Sequence, residues 1–207
     1  TGREEEWRFT PVRKLTDLLE DTGAGQSLNL SQDLPAGVTQ EVIDLEAARA
    51  LGVLEPEDRP AAIAANQAPA VLHYDVPAGR ELDEPVIIHA DGVDGQTVHG
   101  HVVVTIGANA KATIVVEHEG QARYSELVSL LIGEGAEVTF ASIQLWEDGS
   151  VHLGQHDALV GKDAQFKHIA ISLGGDIVRL NSNVRYDGPG GEAELLGLYF
   201  ADAGQHL

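Results

Sequence analysis

From about Val71 the chain breaks into short β-branched runs separated by glycine, and the turns recur with a period. Gly107-Ala108-Asn109-Ala110, Gly133-Glu134-Gly135-Ala136, Gly161-Lys162-Asp163-Ala164 and Gly188-Pro189-Gly190-Gly191 all read Gly-x-x-small, and their first glycines stand 26, 28 and 27 residues apart. Five and seven residues after each glycine come Ala112 and Ile114, Val138 and Phe140, Phe166 and His168, Ala193 and Leu195. Seven of these eight are apolar, whereas Thr113, Thr139, Lys167 and Glu194 between them are polar. Alternate residues of a strand share a face, so the pattern predicts ladders of apolar side chains pointing inward and polar ones pointing out. A period near 27 is that of a solenoid, whose coils bury their apolar faces only by stacking. An antiparallel sandwich would show turn signals every 8–12 residues without such a register. The expected fold is mainly β, a parallel β-helix of four or five visible coils over residues 71–207.

Residues 1–70 read as a small helical and irregular segment ahead of it. Thr10-Pro11, a cap followed by proline, with Val12, Leu15, Leu18 and Leu19 at helical spacing, predicts a short helix near 11–20. Gly23 and Gly25 break that pattern, and Val38 to Asp44 reads as a short strand. Leu45 to Leu51, stopped by Gly52, and Arg59 to Asn66 read as two further short helices.

Charge narrows the function. Thirteen basic against 33 acidic side chains leave a formal net charge of −20, so a backbone-tracking nucleic-acid surface and an anionic membrane are both disfavoured partners. The chain has no cysteine, which removes disulfides, zinc thiolate sites, thiolate-held clusters and a cysteine nucleophile. No run of about 18 apolar residues is present and Thr1 to Thr10 is charged, so a soluble, cytoplasmic protein is expected. With no methionine, even at position 1, and an end at Gln205-His206-Leu207 just after a patterned strand, the chain reads as an internal piece of a longer protein.

Candidate chemistry is sparse. His99 and His101, two apart beside the strand Val102 to Ile106, would leave one face about 7 Å apart. They read as solvated histidines at a strand entrance. The competing reading is a carrier of iron(II) or zinc that draws a third ligand, His118 or His89, from another coil. His152 and His156 flank Gly154 and would meet in a turn, again without a third ligand. His168 takes an inward ladder position and reads as a neutral core histidine. Arg179, Asn181, Asn183 and Arg185 share one face of the run Val178 to Tyr186, read as a solvated side, with a carboxylate ligand or a protein partner as the alternative. The acids are scattered over turns and the N-terminal segment. A carbohydrate-active β-helix, which would need them clustered on neighbouring coils with calcium or an activated base, is the enzyme-class alternative. Phosphate-loop, nucleophile-elbow and His-Glu-x-x-His patterns are absent.

Two segments carry a family resemblance. Glu4-Glu5-Glu6-Trp7-Arg8-Phe9-Thr10-Pro11 resembles the Glu-Glu-Trp-Arg/Lys-aromatic-Thr segment near the start of SufD proteins, and is more specific to them than to the SufB paralogue. Gly188-Pro189-Gly190-Gly191-Glu192-Ala193-Glu194-Leu195-Leu196-Gly197-Leu198-Tyr199 is similar to a coil shared by both, with Gly191 where alanine is usual. Gln205-His206-Leu207 resembles the start of the Gln-His-x-Asp-His segment that follows. The resemblance implies a right-handed parallel β-helix and a non-enzymatic subunit of the SUF iron–sulfur cluster assembly scaffold. It further implies partnership with a SufB-like paralogue and a SufC-like ABC ATPase, and support of iron acquisition for a cluster assembled on the complex. The family's docking helices and junction histidine would lie beyond Leu207, so no catalytic, cofactor-binding or metal residue is carried over onto this chain.

Overall fold

The glycine turns stack directly on one another. A Cβ at Gly107 would lie 2.3 Å from the Ala78 backbone nitrogen, one at Gly133 2.7 Å from that of Ala108, and one at Gly161 2.7 Å from the Ile132 carbonyl oxygen. Only glycine permits that approach. The third turn position is left-handed each time, at Asn109 (φ 55°), Gly135 (φ 66°), Asp163 (φ 55°) and Gly190 (φ 78°). Asn and Asp are the non-glycine residues that tolerate this region best. The turns also form their own ladder: Asn109 N–H donates to Glu134 O (2.8 Å) and Gly135 N–H to Lys162 O (2.9 Å). The fourth position must be small because it is interior, and Ala110, Ala136 and Ala164 are buried.

The computed structural model describes residues 7–20, 26–93, 96–202 and 204–207. Its strands are β1 (Asn29–Asp33), β2 (Thr39–Ile43), β3 (Val71–Val76), β4 (Val86–Asp91), β5 (Thr97–Ile106), β6 (Lys111–Glu119), β7 (Arg123–Ile132), β8 (Glu137–Gln144), β9 (Val151–Gly161), β10 (Gln165–Ser172), β11 (Ile177–Asp187) and β12 (Glu192–Tyr199). Successive strands from β3 onward fall alternately into two sheets, ordered β2-β3-β5-β7-β9-β11 and β1-β4-β6-β8-β10-β12. Every pairing between solenoid strands is parallel, whereas β1 on β4 and β2 on β3 are antiparallel. The fold is a parallel β-solenoid of about five turns.

The expected register is the observed one. Ala112, Val138, Phe166 and Ala193 are mutual partners, as are Ile114, Phe140, His168 and Leu195. All are buried except the two on β12, Ala193 at intermediate exposure and Leu195 at 46%. β12 ends its sheet, so no further coil covers it. The interior is apolar towards the glycine turns, where Val104, Ile106, Leu130, Ile132, Val138, Phe140 and Val160 pack together. Lys167 and Glu194 lie outside as expected, paired at 2.9 Å.

The N-terminal residues dress one wall. Helix α2 (Leu45–Ala50) is capped by Asp44, whose carboxylate accepts from Ala47 N–H at 2.7 Å, and α3 (Arg59–Gln67) by Asp58, which accepts from Ala61 N–H. Ala61, Ala64 and Ala65 of α3 pack on Leu127 of β7. Trp7, Leu15 and Leu18 cover Val151, Leu153 and Ile177. One expectation is corrected, and one strand is unforeseen. The helix over 11–20 is a 3-10 turn, Val12–Lys14, followed by one α-turn, α1 (Thr16–Leu19), and the Thr10-Pro11 cap is not used, because Pro11 and Leu15 hold the cap positions without side-chain bonds. β1 was not expected, since its residues are exposed and show no apolar alternation. Gly23, Gly25 and Glu4 to Glu6 lie outside the described residues.

Phe140 is fully buried in the ladder and touches both His156 and His168 ring to ring. Phe140→Ala is expected to lower unfolding stability by roughly 3–5 kcal/mol in urea titration, through the cavity it leaves. An unchanged midpoint would refute the register.

Candidate buried histidine and glutamate centre

The far corner of the solenoid interior, away from the glycine turns, is polar. Alternation along β7 and β9 turns Tyr124, Glu126, His152 and His156 inward with Val128 and Val160, and β6 and β10 contribute His118 and His168 from the facing wall. All six are buried. In the β5-β7-β9 ladder Glu126 stands between Gly100 and Gly154. A Cβ at Gly100 would fall 2.0 Å from the Tyr124 hydroxyl, and one at Gly154 3.3 Å from His152 Nε2 and 3.6 Å from Glu126 Oε2. The two glycines make the room into which Glu126 and its partners fit.

Glu126 is surrounded by donors. His118 Nε2 lies 3.4 Å from Oε1 and the Tyr124 hydroxyl donates to the same oxygen at 3.3 Å. His156 Nε2 lies 3.2 Å from Oε2, and His152 Nε2 is 3.3 Å from it but outside hydrogen-bond alignment. Burial alone would push the Glu126 carboxyl up. The charge and hydrogen bond of His118, with the contacts of His152 and His156, outweigh it and hold the group well below the usual carboxylate range. Burial raises the Tyr124 phenol well above its ordinary value, and the Glu126 charge adds to this. Burial lowers His152 to about 4, the nearby Glu126 carboxylate opposing it only in part. His168, lowered to about 3 by burial and then by His156, is neutral.

Trp146 and His168 orient these rings. Trp146 Nε1–H donates to His152 Nδ1 at 3.3 Å, and His156 Nδ1 is 2.9 Å from His168 Nε2. His118, Tyr124, Trp146 and His152 form one aromatic cluster, with centroids 4.9 to 6.3 Å apart. Two buried nitrogens, His118 Nδ1 and His152 Nε2, have no hydrogen-bond partner among the described residues. His118, Glu126 and His152 offer ligand atoms that all lie within 4.8 Å of one another.

Several sequence readings change here. His99 and His101 are not solvated but buried within β5, on the outer wall face that α2 and α3 cover. His99 Nδ1 meets Ser125 Oγ at 2.6 Å, while both His101 nitrogens lack hydrogen-bond partners among the described residues. The wall therefore separates this pair from His118 inside. His89 is on the opposite sheet, 3.0 Å from Glu117. His152 and His156 do not meet in a turn but lie along one face of β9. His168 is the buried neutral ladder histidine expected. The polar face of β11 is only partly solvated, because Asp58 accepts from Arg179 (3.1 Å) and Asn181 (3.0 Å), and Asp157 from Asn183 (2.9 Å). Glu126, Tyr124 and Trp146 drew no attention in the sequence. The one local signal was glycine inside strands, at 100 and 154.

The family described as "SUF system FeS cluster assembly, SufBD core domain" matches residues 87–207. The chain belongs to the SufBD family. Over its whole length it is 38% identical to an iron-sulfur cluster assembly SufBD family protein of Mycobacterium leprae, covering 53% of that protein, and 38% identical to one of Mycobacterium tuberculosis, covering 52%. It thus spans about half the length of these relatives.

His101 gives a pH test away from the interior centre. Burial first, and the charge of Arg49 second, lower it to about 4, so between pH 6.5 and 4 the unfolded chain takes up a proton that the folded chain refuses. Its contribution is full above about pH 6.5 and is lost as pH falls towards 4. Between pH 7 and pH 5 the loss is expected to be about 1–2 kcal/mol, and His101→Leu should reduce the pH dependence of the urea-derived stability by that amount. Equal pH dependence in both proteins would show that His101 is not buried as described.

Proposed function

We propose that this chain is part of a SufD-type subunit of a SufB-SufC-SufD-type scaffold, cytoplasmic and without catalysis of its own, supporting iron acquisition for a cluster assembled on the complex. The observation that carries the reading is family membership over the whole chain, at 38% identity to assembly proteins. The Trp7-Arg8-Phe9-Thr10 segment favours the SufD-type over the SufB-type subunit, and a chain without cysteine supplies no thiolate to a cluster, which suits a supporting subunit. What this half contributes is rigid length. Continuous parallel ladders hold whatever the remainder of the subunit carries at a defined distance and angle. A carbohydrate-active reading has no support in the geometry, since the carboxylate with clustered partners, Glu126, is sealed inside, out of reach of a polymer.

Affinity capture of the full-length protein from its native lysate, with mass spectrometry of what is bound, tests the assignment. A SufB-like paralogue and an ABC-type ATPase recovered in defined ratio are the expected result. Recovery of neither by a folded, intact protein would overturn it.

A further inference from the structure

The geometry points to a binding site for one divalent transition-metal ion inside the solenoid, held by His118, Glu126 and His152. Three strands, β6, β7 and β9, bring the donors to the corner where β6 turns into β7 and β8 into β9. Ligands about 2.0–2.2 Å from a tetrahedral ion stand about 3.4 Å from each other. His118 Nε2 to Glu126 Oε1 is 3.4 Å and His152 Nε2 to Glu126 Oε2 is 3.3 Å. Each matches that figure to a different oxygen of the one carboxylate, and the three donor atoms, one per residue, lie within 4.8 Å of one another, so a small shift of side chains closes them on one ion; the second contact is poorly aligned as a hydrogen bond.

Two independent features need such an ion. His152 Nε2, one of the donor atoms, is buried without a hydrogen-bond partner among the described residues, a state the interior disfavours. Glu126 is a buried carboxylate whose ion pairs, among the described residues, are all with histidines, so no lysine or arginine provides its fixed counter-charge. A cation at the centre answers both. Two imidazoles and one carboxylate with no thiolate select a borderline ion of the Fe²⁺, Co²⁺ or Zn²⁺ class over all-oxygen Ca²⁺ or Mg²⁺. His156 Nε2, 3.2 Å from Glu126 Oε2, is placed to become a fourth ligand, with His168 behind it at 2.9 Å to fix its ring.

Trp146 is the built-in reporter. Its indole N–H donates to His152 Nδ1, so in the metal-free protein Nδ1 is the acceptor and the ring's proton sits on Nε2. Coordination through Nε2 moves that proton to Nδ1, and the 3.3 Å indole contact is given up. The site rests on the chain's own residues and not on the scaffold reading. Failure to bind metal would leave partner capture untouched, and the converse holds.

The test is titration of the metal-stripped full chain with Co²⁺, and with Fe²⁺ under anaerobic conditions. One equivalent of Co²⁺ is expected to produce visible ligand-field bands of a tetrahedral or five-coordinate N/O site, with saturable quenching of Trp146 emission over the Trp7 background. Glu126→Gln and His152→Gln, each checked for a native circular dichroism spectrum, should weaken binding by more than the about 10–100-fold typical of losing an outer-shell partner. His89→Ala, at the half-exposed pair with Glu117, should leave it unchanged. No stoichiometric uptake by the wild-type chain would overturn the site even if the variants misfold. So would uptake that survives in a folded Glu126→Gln variant or disappears with His89→Ala.

Discussion

In-register stacking is the constraint on which everything else in this molecule rests. Parallel strands about 4.8 Å apart place each side chain against the side chain one coil away, so the neighbours that decide a residue's environment are some 27 positions distant in the chain. The stack closes only if the turns also stack, and the turn glycines allow this because a Cβ at Gly107, Gly133 or Gly161 would run into the backbone of the turn beneath. The same rule makes the interior a set of narrow shelves. On the shelf of Glu126 the adjacent positions are glycine on both sides, and the space they leave holds a carboxylate, a phenol and imidazole rings instead of methyl groups.

A buried carboxylate is costly, and the protein meets that cost with donors rather than with distance. His118, Tyr124 and His156 converge on Glu126, while His152 and His168 stay neutral because burial disfavours their charged forms. The walls permit such a centre because their own backbone groups are satisfied by the ladders. Polar side chains inside thus compete with no backbone demand. The arrangement also explains the division of the interior: methyl and phenyl groups fill the shelves near the glycine turns, and polar rings collect at the opposite corner, where loops close the coils.

Membership of the SufBD family fits a molecule whose order is long-range and repetitive. The N-terminal residues add to the stiffness of one wall. α3 lies on β7, Trp7 and α1 on β9 and β11, and Asp58 at the start of α3 binds Arg179 and Asn181 two coils further on. A face of arginine and asparagine that looked wet in the strand pattern is thereby tied to the chain's own helix cap.

The period, the turn chemistry and the inward ladders were legible in the residues alone, because a repeat writes its long-range contacts into local sequence: Val138 predicts its own neighbours, Ala112 and Phe166, by position. Helices α2 and α3 were legible for the ordinary local reason that Asp44 and Asp58 cap them, and Gly52 follows the first. What departs from the repeat was not legible. β1 has no apolar face to announce it and exists because β4 offers an edge. His99 and His101 are buried by helices that pack on them from outside, which strand alternation cannot foretell. The centre at Glu126 has no spacing motif, since His118, Glu126 and His152 lie on three strands of two sheets, and their meeting depends on how the walls face each other. Sequence determined the coil, because the coil's interactions repeat. Tertiary structure alone decided the chemistry inside it, because those interactions occur once.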